Sequence, residues 1–160
     1  MIKHHIITIT DENDIDSVGE YLDALLFASK TNQNDMIHYT FLQLAFNKLS
    51  LANLKTLCRE RTQLDIMVNG FPRTKKYQLV KPLGVVPIYE LRYGISHNEH
   101  LRLLFFPIQH KGESYYVFTK AFIKTLEPDV DETDHMRNLS YQMYAEVIKE
   151  PTKYLEDDDL

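Results

Sequence analysis

The stretch Ile88–Lys124, IYELRYGISHNEHLRLLFFPIQHKGESYYVFTKAFIK, decides the fold of this chain. Its aromatic and aliphatic segments predict three strands, Ile88–Gly94, His100–Gln109 and Ser114–Phe122. The links between these segments are short enough for hairpin turns. We therefore expect three consecutive antiparallel strands that form the centre of a sheet.

The rest of the chain predicts one more strand and a set of helices. Lys3–Thr10 is rich in β-branched residues and predicts an N-terminal strand. Apolar residues at helical spacing between Asp14 and Cys58 predict a helical hairpin, and residues 131–150 predict a C-terminal helix that Pro151 ends. Residues 64–87 hold Gly or Pro at five positions, which indicates a loop with one short strand near 77–80.

This order of elements predicts an α+β domain. We expect a small, mostly antiparallel sheet, built from the N-terminal strand and the three consecutive strands, with the helices packed against one face. The other face of such a sheet can stay open to solvent. With 160 residues the chain is long enough for one domain, which we place at residues 1–150. Residues 151–160 end in EDDDL and predict a disordered acidic tail.

The charges are distributed unevenly along the chain. The whole chain has a net charge of −5, yet residues 71–126 contain nine Lys or Arg and only three Asp or Glu. Acidic residues are in excess both before and after this segment. A basic sheet inside an acidic protein predicts a local binding site for an anion, and the density of the charge favours a polyanion.

Composition also restricts the compartment. Cys58 is the only cysteine, so an internal disulfide framework is excluded and a reducing compartment is expected. The sequence has no apolar run near the roughly 20 residues that a membrane span needs, and its first ten residues do not resemble a signal peptide. We expect a cytoplasmic protein that does not bind membranes.

Three motifs within the central stretch resemble the RelE/ParE toxin superfamily, in particular its HigB-like and phage-derived branch. These are IYELR at 88–92, LRLLFF at 101–106 and FIK at 122–124, followed by a closing helix. VGEYLDAL at 18–25 resembles the start of the first helix in that family. The likeness follows the element order over about residues 15–148. It departs from the family in the acidic composition, in a longer N-terminal half and in Thr125, where the family has a second lysine.

The resemblance implies a RelE-like fold and a toxin of a type II toxin–antitoxin system. Many members are endoribonucleases that cut ribosome-bound mRNA without a metal or another cofactor, and their partner is an antitoxin, which we expect to be a helix-turn-helix protein. Two alternatives remain open. One is an inactive RelE-fold interaction protein from a phage or mobile element, and the other is a ParE-like toxin directed at DNA gyrase.

The family's basic strand residues correspond to four positions of this chain. Arg92 and Arg102 are expected to clamp phosphate, Lys124 to contact the phosphate or transition state, and Lys120 to assist. The alternative is that both arginines are ordinary strand residues balancing nearby acids. On a regular strand Arg102 shares its face with Leu104, so it could also extend from the rim of the core.

Further RNA contacts are expected outside the three strands. The basic cluster Arg73, Lys75 and Lys76 would extend the positive surface, and Tyr141 would stack on a base; a solvated loop and a core-edge tyrosine are the alternatives. His97 and His100 lack a third ligand at a suitable spacing. We interpret them as solvated turn residues and expect no metal site.

Overall fold

A computed structural model describes residues 3–125 and 132–155. The chain is α+β within these ranges, as predicted. The strands are β1 (His5–Thr8), β2 (Thr62–Val68), β3 (Phe71–Tyr77), β4 (Val80–Pro82), β5 (Tyr89–Gly94), β6 (Glu99–His110) and β7 (Glu113–Thr125). The helices are α1 (Ser17–Ser29), α2 (Gln33–Leu51), α3 (Leu54–Arg59), α4 (Glu132–Lys149) and α5 (Pro151–Leu155).

The main sheet has five strands in the order β1-β7-β6-β5-β4. Strands β5, β6 and β7 are antiparallel neighbours, which confirms the prediction for the central stretch. The N-terminal strand β1 joins the sheet beside β7 and runs parallel to it. The sheet is therefore mostly antiparallel, with one parallel pair at an edge.

Side-chain caps set the helix boundaries. Asp16 caps α1, and its Oδ1 accepts a hydrogen bond from Gly19 N at 2.8 Å. A Cβ at Gly19 would clash with the Asp16 carboxylate, so a larger residue there would displace the capping side chain. Asn53 caps α3 and receives N–H bonds from Lys55 and Thr56, so α2 and α3 are separate helices.

The prediction of a loop over residues 64–87 is wrong. Thr62–Val68 and Phe71–Tyr77 form a two-stranded hairpin, separate from the main sheet, and Val80–Pro82 forms its own edge strand. The turn is Asn69–Gly70, with φ of 52° and 82°, which suits a two-residue hairpin. The residues of β2 alternate between buried apolar and exposed positions, whereas β3 consists mostly of proline, charged and exposed residues. The sequence of β3 therefore lacks the alternation that predicts a strand.

Both faces of the main sheet are covered, so the expectation of one open face is wrong. One face packs Leu91, Tyr93 and Phe105 against α1, α2 and the β2–β3 hairpin. The opposite face packs Leu104 and Phe106 against α4. Any binding site on the strands therefore lies at an end of the sheet rather than on a broad open surface.

A β-bulge changes the faces along β7. The register shifts between Leu104 and Phe105, so that Leu104 pairs with Lys120 while Phe105 pairs with Phe118. The extra residue is Thr119, whose Oγ1 lies 3.1 Å from Leu104 O and 2.8 Å from Ser140 Oγ on α4. Lys120, Phe122 and Lys124 therefore lie on the α4 face, opposite to Phe118, while Ala121 and Ile123 lie on the same face as Phe118.

The C-terminal region is more ordered than predicted. Pro151–Leu155 forms the short helix α5, and Leu155 is buried against the α4 face of the sheet. Tyr115 donates a hydrogen bond from its hydroxyl to Leu155 O at 3.1 Å. The disorder predicted for these five residues is wrong. Residues 156–160 and the predicted helix start at residue 131 lie outside the described residues.

Candidate functional site

Arg92 and Arg102 are directly opposite each other on neighbouring strands. They are cross-strand partners in the β5–β6 ladder, and both point to the α4 face of the sheet. The register follows from the tight turn after Gly94, where Ile95 N and Ser96 N both donate to Glu99 O at 2.9 Å and 3.2 Å. The two predicted phosphate clamps thus meet in the structure.

Glu90 is the acidic partner of this pair. It is 5% exposed, and its carboxylate lies 3.7 Å from Arg102 Nε and 3.9 Å from Arg92 Nε. Both distances exceed the length of a hydrogen bond. One carboxylate therefore serves two guanidinium groups, and the cluster carries an excess of one positive charge. We call Glu90, Arg92 and Arg102 the arginine cluster.

Arg102 is buried and incompletely paired. It is only 7% exposed, and NH1 donates to Leu101 O at 3.2 Å. Within residues 3–125 and 132–155, neither its Nε nor the buried Nε of Arg92 has a hydrogen-bond partner. Burial lowers the pKa of Arg102, with the charge of Glu90 opposing this effect. Buried donors without partners are costly, and an anion is one group that can satisfy them.

Access to the cluster is through Arg92. Its side chain is 32% exposed, against 9% for that of Arg102. The expectation that both arginines clamp phosphate therefore meets an obstacle at Arg102, whose guanidinium is mostly covered by protein. A bound phosphate would meet Arg92 first, with Arg102 behind it as a second, buried charge.

His100 and Lys124 form the next rung of the ladder beyond the arginines. They are cross-strand partners on β6 and β7. His100 lies two residues before Arg102 on β6, and Lys124 lies two residues after Phe122, the cross-strand partner of Arg102 on β7. His100 is half-buried and belongs to a strand, so its interpretation as a solvated turn residue is wrong. Its ring lies beside Gly94, where a Cβ would stand 3.7 Å from Nδ1. Lys124 is exposed at the end of the same face.

The surroundings of His100 favour the neutral imidazole. Burial lowers its pKa, and the positive charges of Arg102 and Arg92 lower it further. A neutral imidazole at physiological pH can accept a proton, which is the property a general base needs. The residue could have been found from the sequence, because it has the same strand parity as Arg102. The motif HNEH pointed instead to a turn.

Lys120 does not join this group. It lies on the α4 face, but its Nζ donates to Asp11 Oδ2 at 2.7 Å, and both side chains are largely buried. The hydrogen bond from Lys120 holds the pKa of Asp11 below its ordinary value. Lys120 therefore holds the loop after β1 against β7, and its charge is neutralised locally.

The predicted RNA-binding residues separate into inward-facing and exposed positions. Lys75 faces inward: its Nζ donates to Gly94 O at 2.8 Å and lies 4.6 Å from the centre of the Tyr93 ring. Arg73 and Lys76 are exposed on β3. Tyr141 is 44% exposed on α4 and stacks on Tyr144 with 5.8 Å between ring centres. None of these four residues is part of the arginine cluster.

Comparisons with known proteins found no relatives. No family model matches the sequence, no curated protein is similar to it, and no solved structure matches the fold. Within the described part of the chain, no helix is both long and apolar enough to span a bilayer. In the same residues, no three His, Cys, Asp or Glu side chains are grouped so that they could hold a metal ion.

Proposed function

We propose that this chain is the toxin of a type II toxin–antitoxin pair, a metal-independent endoribonuclease that cuts ribosome-bound mRNA. The observation that carries the proposal is the pairing of Arg92 with Arg102, next to the pair His100–Lys124 on the same face. These four side chains supply the groups that phosphodiester cleavage by a ribose hydroxyl requires. The motif resemblance to RelE/ParE toxins supports the same reaction.

The proposed reaction begins with proton transfer. The neutral imidazole of His100 takes the proton of the ribose 2′-hydroxyl, and the oxygen attacks the adjacent phosphorus. The partly exposed guanidinium of Arg92 and the ammonium of Lys124 contact the phosphate oxygens, where negative charge increases in the transition state. The bond to the 5′-oxygen breaks as that oxygen takes up a proton from water or from Lys124. The products are a 2′,3′-cyclic phosphate and a 5′-hydroxyl.

Arg102 acts from behind the site in this proposal. It is too buried to reach a substrate as readily as Arg92 does. Burial lowers the pKa of His100 most, and the charge of Arg102 lowers it further. The same charge adds to the positive potential at the phosphate. We assign it a positioning and electrostatic role rather than a direct contact with the substrate.

The remaining features of the proposal follow from the substrate. An enzyme of this kind works in the cytoplasm, where ribosomes translate, and needs a partner that blocks it. We expect that partner to be a helix-turn-helix antitoxin encoded beside the toxin. The basic face is the surface that an inhibitor of the enzyme must cover.

One observation favours the alternative of an inactive interaction protein with the same fold. Arg102 is buried beside Glu90, as an arginine with a purely structural role would be. In that case the arginine cluster would stabilise the end of the sheet and no RNA would be cut. Substitution of the exposed Arg92 separates the two functions.

The experiment is expression in bacteria with growth as the readout, followed by mapping of new 5′ ends on mRNA. The wild type should stop growth and produce cleavage sites, whereas Arg92→Ala combined with Arg102→Ala should do neither. Arg92→Ala alone provides a variant that keeps the buried charge. Lys81→Ala, an exposed cation on β4, is the control for loss of one positive charge. A harmless wild type, or a toxic double variant, would contradict the proposal.

A further inference from the structure

A cleft with a different chemistry lies at the other end of the sheet. It has a volume of about 650 Å³ and lies between α3, β4 and the strand ends near Pro107 and Tyr116. His100 and Pro107 are seven positions apart on β6, which corresponds to roughly 23 Å at about 3.3 Å per residue. The cleft shares no residue with the arginine cluster, and Tyr89, which lines the cleft, lies on the opposite face of β5 from its neighbour Glu90. Its volume lies in the range of small-molecule sites.

The side chains around the cleft form an aromatic floor. His4 stacks on Tyr116 with ring centres 4.4 Å apart, and Tyr89 stacks on Phe105 at 5.8 Å. Tyr116 is only 1% exposed, whereas His4 and Tyr89 are partly exposed. A planar ring entering the cleft would therefore find half-exposed aromatic surfaces on which to stack.

The rim of the cleft is cationic. Lys55 and Arg59 lie one turn apart on α3, so both side chains project from the same side of the helix, and both are exposed. Among the residues that the structure describes, none that lines the cleft is Asp or Glu. This is unusual for a protein with a net charge of −5. A site with cations and no carboxylate selects an anionic ligand.

The cleft is also held in shape before any ligand binds. Gln78 donates from Nε2 to Cys58 O at 2.8 Å and to Val80 O at 3.0 Å, which fixes α3 against β4. Asn53 caps the start of α3. A preformed site loses little conformational entropy on binding.

From these observations we infer that the cleft binds a heteroaromatic base that carries a phosphate, at the size of a mononucleotide. The ring would stack beside His4 and Tyr89, and the phosphate would pair with Lys55 and Arg59. Neither the charge nor the aromatic floor alone specifies this ligand, but together they match both of its parts. The inference does not depend on the proposed nuclease activity, because the two sites share no residue.

Cys58 gives a direct readout, since it lines the cleft and is the only cysteine. The test measures the rate at which Ellman's reagent modifies Cys58 with and without adenosine 5′-monophosphate. Mildly alkaline pH is required because burial raises the pKa of this thiol. We expect the nucleotide to slow modification in a saturable manner, and adenosine or inorganic phosphate alone to be much less effective.

Variants establish where the ligand binds. Lys55→Ala with Arg59→Ala should weaken protection about tenfold or more, because loss of about 1.4 kcal/mol of pairing corresponds to that factor. Lys30→Ala with Lys48→Ala removes the same charge from exposed sites elsewhere and should leave protection unchanged. Arg92→Gln should also leave it unchanged, which keeps this test independent of the nuclease site. Each protected rate is compared with the unliganded rate of the same variant.

A 5′-phosphorylated trinucleotide distinguishes a free nucleotide from the end of an RNA chain, which has the same chemistry. Protection by the mononucleotide supports the inference whether or not the trinucleotide also protects. Protection by the trinucleotide alone would overturn it in favour of an RNA-end site. The inference also fails if no nucleotide protects Cys58, or if the Lys55/Arg59 variant is protected as well as the wild type.

Discussion

Arg92 and Arg102 are cross-strand partners whose guanidinium groups lie on the same face of the sheet. Like charges directly opposite each other on a ladder are destabilising. Within residues 3–125 and 132–155, only the carboxylate of Glu90 lies beside both groups, 3.7 Å from Arg102 Nε and 3.9 Å from Arg92 Nε. The excess charge at this position therefore costs stability, and the cost is reduced when an anion binds.

This arrangement predicts the behaviour of Glu90→Gln. The substitution keeps the size of the side chain but leaves two partly buried guanidinium groups without a counter-charge. We expect the free energy of unfolding in urea to fall by about 2–3 kcal/mol, slightly below the range for breaking a well-formed buried ion pair because neither contact is a hydrogen bond. Added sulfate should recover more stability in this variant than in the wild type, since the anion substitutes for the carboxylate.

The matched control for that measurement is Glu99→Gln, which removes one carboxylate from an exposed position at the start of β6. Its unfolding free energy should change by less than about 0.5 kcal/mol, as is usual for surface substitutions. If Glu90→Gln were as stable as the wild type, the arginine cluster would not carry the uncompensated charge that the site requires.

A second prediction concerns the titration of His100. Its pKa is lowered by burial and by the charges of Arg102 and Arg92. Arg92→Gln removes one of these charges, so the pKa of His100 should rise toward its ordinary value. NMR titration of the imidazole signals in the wild type and in the variant measures the shift directly. An unchanged pKa would show that the two side chains do not interact.

The same shift fixes the pH dependence of the proposed reaction. A general base works only when it is deprotonated, so activity should fall as the pH falls through the pKa of His100. Because that pKa is lowered below the ordinary 6.5, activity should persist at slightly acidic pH. His100→Ala should reduce the rate about 100-fold, at the lower end of general-base contributions. His97→Ala, on the exposed turn, should leave the rate unchanged.

Lys75 is predicted to stabilise the fold rather than to bind RNA. Its ammonium donates to Gly94 O and lies over the rings of Tyr93 and Phe41, which joins the β2–β3 hairpin to the main sheet. Lys75→Met should lower the unfolding free energy by about 1–2 kcal/mol. Lys76→Met, on the exposed side of the same strand, should change it little. Equal losses in the two variants would contradict the structural role.

Lys120 should also contribute to stability, through Asp11. Lys120→Met removes the ammonium that donates a hydrogen bond to the largely buried carboxylate of Asp11, and we expect a loss of about 1 kcal/mol at neutral pH. The pKa of Asp11 is below 3.8 in the folded protein, so this contribution is present above that pH and is lost as the pH falls through the lowered pKa. At neutral pH the variant should therefore unfold at a lower urea concentration than the wild type. At strongly acidic pH the unfolding curves of the two proteins should coincide.

The sequence predicted the strands and helices that have a clear apolar pattern. The run from Ile88 to Phe122 and the helices around Phe41 and Met143 carry such a pattern, and each forms the expected element. The β3 strand was missed because its residues are mostly polar and its pairing depends on the Asn69–Gly70 turn. Local sequence patterns predicted the type of each element better than they predicted which elements pack against one another.

The site could be predicted only in part, for a related reason. Arg92 and Arg102 were identified through the family resemblance of their motifs, and a short turn between the two strands makes them cross-strand partners. The roles of Glu90 and His100 depend on which neighbours bury them. The bulge at Thr119 reverses the faces of Lys120 and Lys124 relative to Phe118. A bulge depends on packing between strands, and nothing in residues 117–121 marks it. The helix that covers the second face is likewise visible in the sequence, but its position is not.

The most direct test of the central claim is cleavage of a defined mRNA in a reconstituted translation reaction, comparing wild type, Arg92→Gln and Lys81→Gln. The wild type and Lys81→Gln should cut equally and leave 2′,3′-cyclic phosphate ends. Arg92→Gln should cut about 100-fold more slowly, as expected for loss of one group that stabilises the transition state. Equal cleavage by Arg92→Gln, or no cleavage by the wild type, would contradict the account.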